Sequence, residues 1–487
     1  MGPFSSIRQL IRQPLADRRK PLGGTWRATW RATWLAAILV VPSVGRVSAQ
    51  TSPDLNRTDE TAAHGFHEPT HTLEKPADLD AEAPLDRDAV VALAVARSPS
   101  LAAVAHRARS MVHAARAEGS LPAGELGFQA WNLPLTRPYA VGDADMYMVE
   151  LRQRFPAPGS LDARARATAE DAQAVLAEVA TEERVTAQRA ADAYADYVHG
   201  RQDHALHHQH IALLEQMQRA VQARFTTAGA RLADAARVDL ELAKTRRSIA
   251  RIDGDIARAR STINALLRRG ADAPLGTPRE VGPETVRIPV ADLLARALTS
   301  RGATLAAGAR VRAARARRDA AEVEAHVPEF TVGLGYWQDP MRRPGVGATA
   351  SMSLPWLWGP QQHRLDEARE REASERSSDD GAGVDLQSEV SVARAQLAAF
   401  EQELTVVHGE AVPAARRSID AVRAAYTTGN ASLLEWVDAA RSVVDLQMEE
   451  TDLTAELAHA VAALERAVGS QLPRVAVLTP LLTEEHP

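Results

Sequence analysis

The chain of 487 residues contains no cysteine. That excludes a disulfide framework, a zinc–thiolate site, a cysteine nucleophile and lipid attachment through an N-terminal cysteine. Aromatic residues make up only 4% of the sequence, and although 45% is hydrophobic, alanine supplies much of that share. Such a chain has few large side chains for a thick globular core and suits closely packed helices. Charge of one sign is not in excess either. A net charge of −6 and a pI near 6.2 give no global attraction for nucleic acid. No apolar run is long enough for a membrane-spanning helix. A P-loop, a G-x-S-x-G elbow, an H-E-x-x-H pair and a dinucleotide fingerprint are all missing, so no catalytic residue is indicated and no cofactor is expected.

The N-terminus has the pattern of an export signal. Arg8, Arg12, Arg18, Arg19, Lys20, Arg27 and Arg31 precede the short apolar stretch WLAAILVV (34–41), and Val47-Ser48-Ala49 offers small residues before Gln50. The apolar stretch is too short to span a bilayer. Arg18-Arg19 lacks the rest of a twin-arginine motif, which favours general secretion. Residues 1–49 are therefore expected to be a signal peptide. Residues 50–85 are acidic and interrupted by Pro53, Pro69, Pro76 and Pro84, the pattern of a linker.

Beyond the linker the chain repeats with a period of roughly two hundred residues. VARSPSLAAVAHRAR (95–109) resembles LTSRGATLAAGARVR (298–312), and ELGFQAW (125–131) resembles EFTVGLGYW (329–337). RFPAPGSLDARAR (154–166) resembles SLPWLWGPQQHRLDEAR (353–369). RFTTAGARLADAARVDLE (224–241) and AYTTGNASLLEWVDAARS (425–442) then share an aromatic, Thr-Thr, a glycine and a downstream acid. The repeats are placed at 86–285 and 286–470, with a tail at 471–487. In each, an amphipathic helix (86–118; 290–325) leads to two short alternating segments. A Pro/Gly corner opens a long helix (161–225; 361–425), and a return helix follows (232–268; 432–469). SSDDGAG (377–383) and Pro413 are expected to kink the second long helix.

The alternating segments suggest a membrane. Phe330, Val332, Leu334 and Tyr336 fall on one face of a strand, with Thr331, Gly333 and Gly335 on the other. Val346, Ala348, Ala350, Met352 and Leu354 oppose Gly347, Thr349, Ser351 and Ser353 in the same way. In the first repeat Tyr147, Val149 and Leu151 oppose Glu150 and Arg152, while 125–135 is ambiguous. Each pair also fits an ordinary soluble hairpin. If the strands span lipid, four cannot close a barrel and open edges are not tolerated there. Several chains must then share one barrel; three give a 12-stranded trimeric transmembrane β-barrel with cyclic symmetry.

The ordered set ALAVARSPSLAAV (92–104), FPAPG (155–159), LPWLWG (354–359) and VPAARRSIDAVRAAYTTGNASLLEWVDAAR (412–441), with the duplication itself, resembles the TolC-type outer membrane efflux protein (outer membrane factor) family. The resemblance implies a mainly α fold with a small β part. Long antiparallel helical hairpins form a periplasmic α-barrel, and four strands per chain enter the shared β-barrel. It implies a homotrimer in the outer membrane of a Gram-negative bacterium, contacting outer-membrane lipid, a periplasmic adaptor and an inner-membrane pump, with most of the chain in the periplasm. Function would be passive conduction of substrate to the exterior in a tripartite efflux or type I secretion system. A soluble periplasmic coiled-coil adaptor or scaffold is the alternative.

On that plan the Thr-Thr-Gly breaks are periplasmic helix–turn–helix tips. Gly229 or Gly429 ends an ascending helix, and Ser432 with Glu435 has capping-box spacing. Candidate tip and adaptor contacts are Thr227, Gly229, Arg231 and Asp234 in the first repeat, and Thr428, Gly429, Asn430 and Ser432 in the second. The resemblance puts Glu435 and Asp438 where the family carries acidic residues at the closed tunnel mouth. The competing reading is a pair of ordinary carboxylates in a first helical turn. In HGRQDHALHHQH (199–210), His204 and His208 are spaced to share a metal, but a solvated polar belt is the expectation and no metal binding is anticipated there. The same expectation holds for HGFHEPTH (64–71).

Overall fold

The computed structural model describes residues 83–477 apart from 134, 138, 140–143, 226–231, 280–281 and 339–343. The expected signal peptide, most of the linker, the far end of the tail, HGFHEPTH, and the candidates Thr227, Gly229 and Arg231 lie outside the described residues. The elements run α1 (Arg87–Arg97), α2 (Pro99–Glu118), β1 (Glu125–Trp131), β2 (Met146–Phe155), α3 (Ser160–Phe225) and α4 (Leu232–Leu266). A two-residue strand β3 (Glu284–Thr285) precedes α5 (Val290–Ser300), α6 (Gly302–His326), β4 (Phe330–Gln338) and β5 (Gly345–Met352). Then come α7 (Pro360–Val406), a π turn (Val407–Ala411), α8 (Val412–Thr428), α9 (Leu433–Val468) and β6 (Val475–Ala476). At about 1.5 Å per residue, the 66 residues of α3 span about 100 Å.

Each leading amphipathic stretch, expected as one helix, is two. The breaks fall at Ser98 and Arg301, both in extended conformation. At the first, Pro99 disfavours helical backbone in the residue before it, and Ser98 caps α2 by accepting from Leu101 N. At the second, a Cβ on Gly302 would lie 2.1 Å from the Ala177 carbonyl oxygen, so this end of α6 meets α3 backbone to backbone. That contact continues as a seam of small residues, Ala174 and Ala177 against Ala306 and Ala309. Ion pairs flank it: Arg164–Glu324 at 2.6 Å, Arg312–Glu170 at 2.8 Å and Arg310–Glu178 at 2.7 Å. Here alanine does what large apolar side chains do elsewhere, by letting helix axes approach.

The second long helix corrects one expectation. SSDDGAG does not break α7, which runs unbroken as helix from 360 to 406. Ser377 and Ser378 donate back to the Ala373 and Ser374 carbonyls, so their hydroxyls bond within the helix. The irregularity comes at Pro413, as a π turn just upstream in which Val412 N bonds Val407 O. Proline cannot donate to the carbonyl four residues back and crowds it, and the wider turn absorbs that misfit.

Larger side chains gather where several helices meet. Val90, Tyr194, Ile263 and Leu267 join α1, α3 and α4. Leu293, Leu397, Leu404, Leu457 and Leu464 join α5, α7 and α9. Residues at the edges of these helices are tied in. Leu85 exchanges backbone bonds with Thr277 and Arg279 and accepts from the Tyr194 hydroxyl at 3.0 Å. β6 pairs with β3, and nearly buried Arg474 meets Glu465, Asp88 and Glu284.

The remaining strands form one antiparallel sheet in the order β1-β2-β4-β5, two hairpins joined through β2 and β4. The register sets Leu126, Leu151, Leu334 and Ala348 side by side, and Phe128, Val149, Tyr336 and Val346 in the next row of the same face.

Candidate functional site

Two places in this fold carry unusual chemistry. The first is the sheet, which is apolar where a soluble sheet is polar. Leu126, Phe128, Val149, Leu151, Val332, Leu334, Tyr336 and Val346 are all exposed; Leu334 is 64% exposed. Glu150, on the opposite face, is 5% exposed. Its carboxylate accepts from Arg152 Nε at 2.8 Å and from the Thr349 hydroxyl at 3.0 Å. Arg154 pairs with Glu329 at 2.8 Å alongside. A hollow there is lined by Glu125, Glu150, Arg152, Arg154, Thr331 and Thr349. Trp337 lies across Gly345 and Gly347 on this inner face. No helix makes an extended contact with the sheet among the described residues, and β1 and β5 are both open edges. Past β5 the corner 355–358 exposes Trp356 and Trp358, the latter 82% exposed.

The second place is the α8–α9 hairpin. Gly429 takes φ +83°, which a side chain resists, and ends α8. Gly429 N bonds Tyr426 O and Asn430 N bonds Ala425 O, the paired closure of a helix that ends in a left-handed residue. Thr428 donates to the Ala425 carbonyl and accepts from Asn430 Nδ2 at 3.1 Å. Ser432 then restarts the chain. Its hydroxyl accepts from Glu435 N at 3.2 Å, and the Glu435 carboxylate accepts from Ser432 N at 2.6 Å. The turn is braced from inside by Tyr426 and Trp436, with ring centroids 5.0 Å apart, over Leu214, Met217, Val238 and Leu242 of α3 and α4.

Glu435 and Asp438 do share the exposed stripe of α9, between the buried Leu433, Trp436, Val437 and Ala440. They differ in employment. The backbone N–H of Ser432, and then its hydroxyl, hold the Glu435 carboxyl below the usual range. Asp438 keeps its carboxylate in solvent beside Arg441. Asp234 stands in the first turn of α4 and is half-buried. His204 and His208 do come together, with Nε2 atoms 3.2 Å apart, and Asp253 lies 3.6 Å from His204.

Comparison with known proteins adds a partial match. Residues 293–470 match the outer membrane efflux protein family. Members of the family are transport channels and not enzymes. Curated protein sequences give no match. Among solved structures, the fold is similar to that of CusC, described for its transmembrane channel formation, at TM-score 0.69 and 17% identity over 79% of this chain and 92% of that one. It is similar to the outer membrane protein VceC of Vibrio cholerae, at TM-score 0.67 and 18% identity over 79% and 96%. The open-state MtrE outer membrane channel of Neisseria gonorrhoeae matches at TM-score 0.64 and 18% identity over 81% and 91%.

The efflux-protein match takes in α6, β4, β5 and the whole α7–α9 hairpin, the half in which the sequence signals were clearest. Three features of the site were not legible beforehand. Glu150 and Thr349 meet only when the two hairpins pair. Arg441 bonds Glu241 at 2.6 Å and so ties α9 to α4 near the turn. Burial pushes Glu241 up, but its bonds from Lys244 and Arg441 outweigh that and hold it low. Trp436 was visible as a lone ring after Glu435, yet its place beneath Tyr426 depends on the hairpin closing.

Proposed function

We propose that the chain is the outer-membrane channel of a tripartite efflux or type I secretion system, acting as a homotrimer. One observation carries this reading: the sheet presents its apolar face to solvent, hides its carboxylate on the other face, and leaves both edges open. Transfer of each large outer side chain from water into hydrocarbon gains on the order of 1–3 kcal/mol. Open edges in lipid require neighbours, and three copies of the four-stranded sheet close a barrel of 12 strands. Trp356 and Trp358 then sit at the lipid–water boundary. The helical body continues on the periplasmic side as a tunnel, and the α3–α4 and α8–α9 turns are its tips. Thr428, Gly429, Asn430 and Ser432, with Thr227, Gly229, Arg231 and Asp234 of the first tip, contact a periplasmic adaptor. Conduction is passive; an inner-membrane pump supplies the energy and selects the cargo.

The test is fractionation of cells expressing the chain. Recovery as a detergent-extracted trimer from the outer membrane is expected; a fully soluble periplasmic monomer would sink the reading and favour a coiled-coil adaptor or scaffold. In the trimer Glu435 and Asp438 form two carboxylate rings at the tunnel mouth, which attract cations and repel one another. Because Glu435 also serves its own cap, Asp438→Ala alone is expected to give most of the rise in single-channel conductance and loss of cation selectivity of the double alanine variant. Unchanged conductance and selectivity in planar bilayers would remove both residues from the gate.

A further inference from the structure

Where α3 packs on α9, a group of side chains is left over from the channel reading. His199 and Asp203 are one turn apart on α3, and α9 brings Asp452 against them. His199 Nε2 lies 3.2 Å from Asp452 Oδ1 and 3.4 Å from Asp203 Oδ2, and all three ligand atoms lie within 4.8 Å of one another. An ion about 2.1 Å from each ligand atom needs ligand separations of about 3–4 Å. The contacts already made are of that size. We infer that His199, Asp203 and Asp452 form a binding site for a divalent transition-metal ion of the zinc type, completed by water.

The surroundings are those of a metal site. Thr451 donates its hydroxyl to Asp203 Oδ1 at 2.9 Å, which orients the carboxylate and leaves Oδ2 for the ion. The Asp203 residue is 7% exposed, whereas the Asp452 side chain is 59% exposed and provides the way in. One imidazole with two carboxylates suits zinc, nickel or cobalt better than a thiolate-seeking ion. The rival explanation is a proton on Nε2 shared with the two aspartates, which fits the same distances, and metal titration separates the two. The bound ion would clamp the long helix of the first half of the chain to the return helix of the second. It differs from the His204–His208 pair, which faces Asp253 of α4.

The test uses the untagged full-length chain in detergent, dialysed against EDTA. Zinc titrated by calorimetry is expected to bind once per chain in the micromolar range, and cobalt is expected to give the visible absorption of a low-coordinate ion. Asp452→Asn, at an exposed position, should keep the fold and weaken zinc by about tenfold or more. His199→Gln should do the same, and His204→Ala with His208→Ala should leave binding intact. Absence of zinc binding and of cobalt bands overturns the site. So does binding that survives Asp452→Asn, or that disappears with the His204/His208 double variant.

Discussion

The sheet and the helical body follow opposite rules in one chain. The body hides Leu214, Met217, Ile263, Leu397 and Leu457 and presents arginines and glutamates to water. The sheet presents Leu126, Phe128, Leu334 and Val346 and hides Glu150 behind Arg152 and Thr349. Both obey the same transfer free energy. On the channel reading, what differs is the solvent that each part faces. A surface pattern that would be a fault in water is ordinary in lipid, so the face on which polarity falls identifies the medium better than overall hydropathy does.

The largest effect should come from breaking the sheet's side of this contrast. Leu334→Arg, on the face that the channel reading sets in lipid, is expected on that reading to cost about 2–4 kcal/mol per chain and to abolish the detergent-extracted trimer. The body should be most sensitive at its small-residue seam instead. Gly302→Ala places a Cβ against the Ala177 carbonyl and should cost about 1–3 kcal/mol in denaturant unfolding. Ser432→Ala removes the cap of α9 and should cost about 1 kcal/mol, read as faster hydrogen exchange at 433–436. The cap is also titratable. Since the folded-state pKa of Glu435 is depressed, its contribution is present above the unfolded value and is lost as pH falls through the folded one. Protection of the 433–436 amides, taken relative to their intrinsic exchange, should therefore fall below the ordinary carboxylate range; Ser432→Ala, which keeps the backbone donor, should shrink that step, and Glu435→Gln should erase it. The smallest effect belongs to the control, Val384→Arg. This valine is 68% exposed on α7, and the change should stay within about 0.5 kcal/mol in the isolated chain. A large effect there would mean that α7 is covered in the assembled protein.

Much of this was legible in sequence because periodicity reports long elements well. The α3 helix was expected at 161–225 and runs Ser160–Phe225. The outward set Phe330, Val332, Leu334 and Tyr336 follows from period two alone, and within the ambiguous 125–135 strand pairing picks out Glu125–Trp131 as β1. Local chemistry also gave the Ser432–Glu435 box. Errors arose where a tertiary contact outweighs a local preference. Two glycines and two serines in SSDDGAG disfavour helix by roughly 1 kcal/mol per glycine, yet packing of Leu386 and Val390 farther along holds α7 intact. The break before Gly302 has no signal of its own; it is set by α3 on the other side. Strands of two residues, β3 and β6, carry too little pattern to be seen. Asp452 could not be joined to His199 from spacing at all.

The open edges of the sheet also bear on biogenesis. On the proposed channel reading, a lone chain in the periplasm carries open strand edges and a bare apolar face, the features that make β-proteins aggregate. Its productive partner is then another copy of itself, so assembly is a race whose favourable branch depends on the local concentration of chains and whose losing branch is precipitation. Overexpression thus speeds both outcomes, and the yield of trimer is governed by how quickly edges meet in or at the membrane, not by how stable each helical body is.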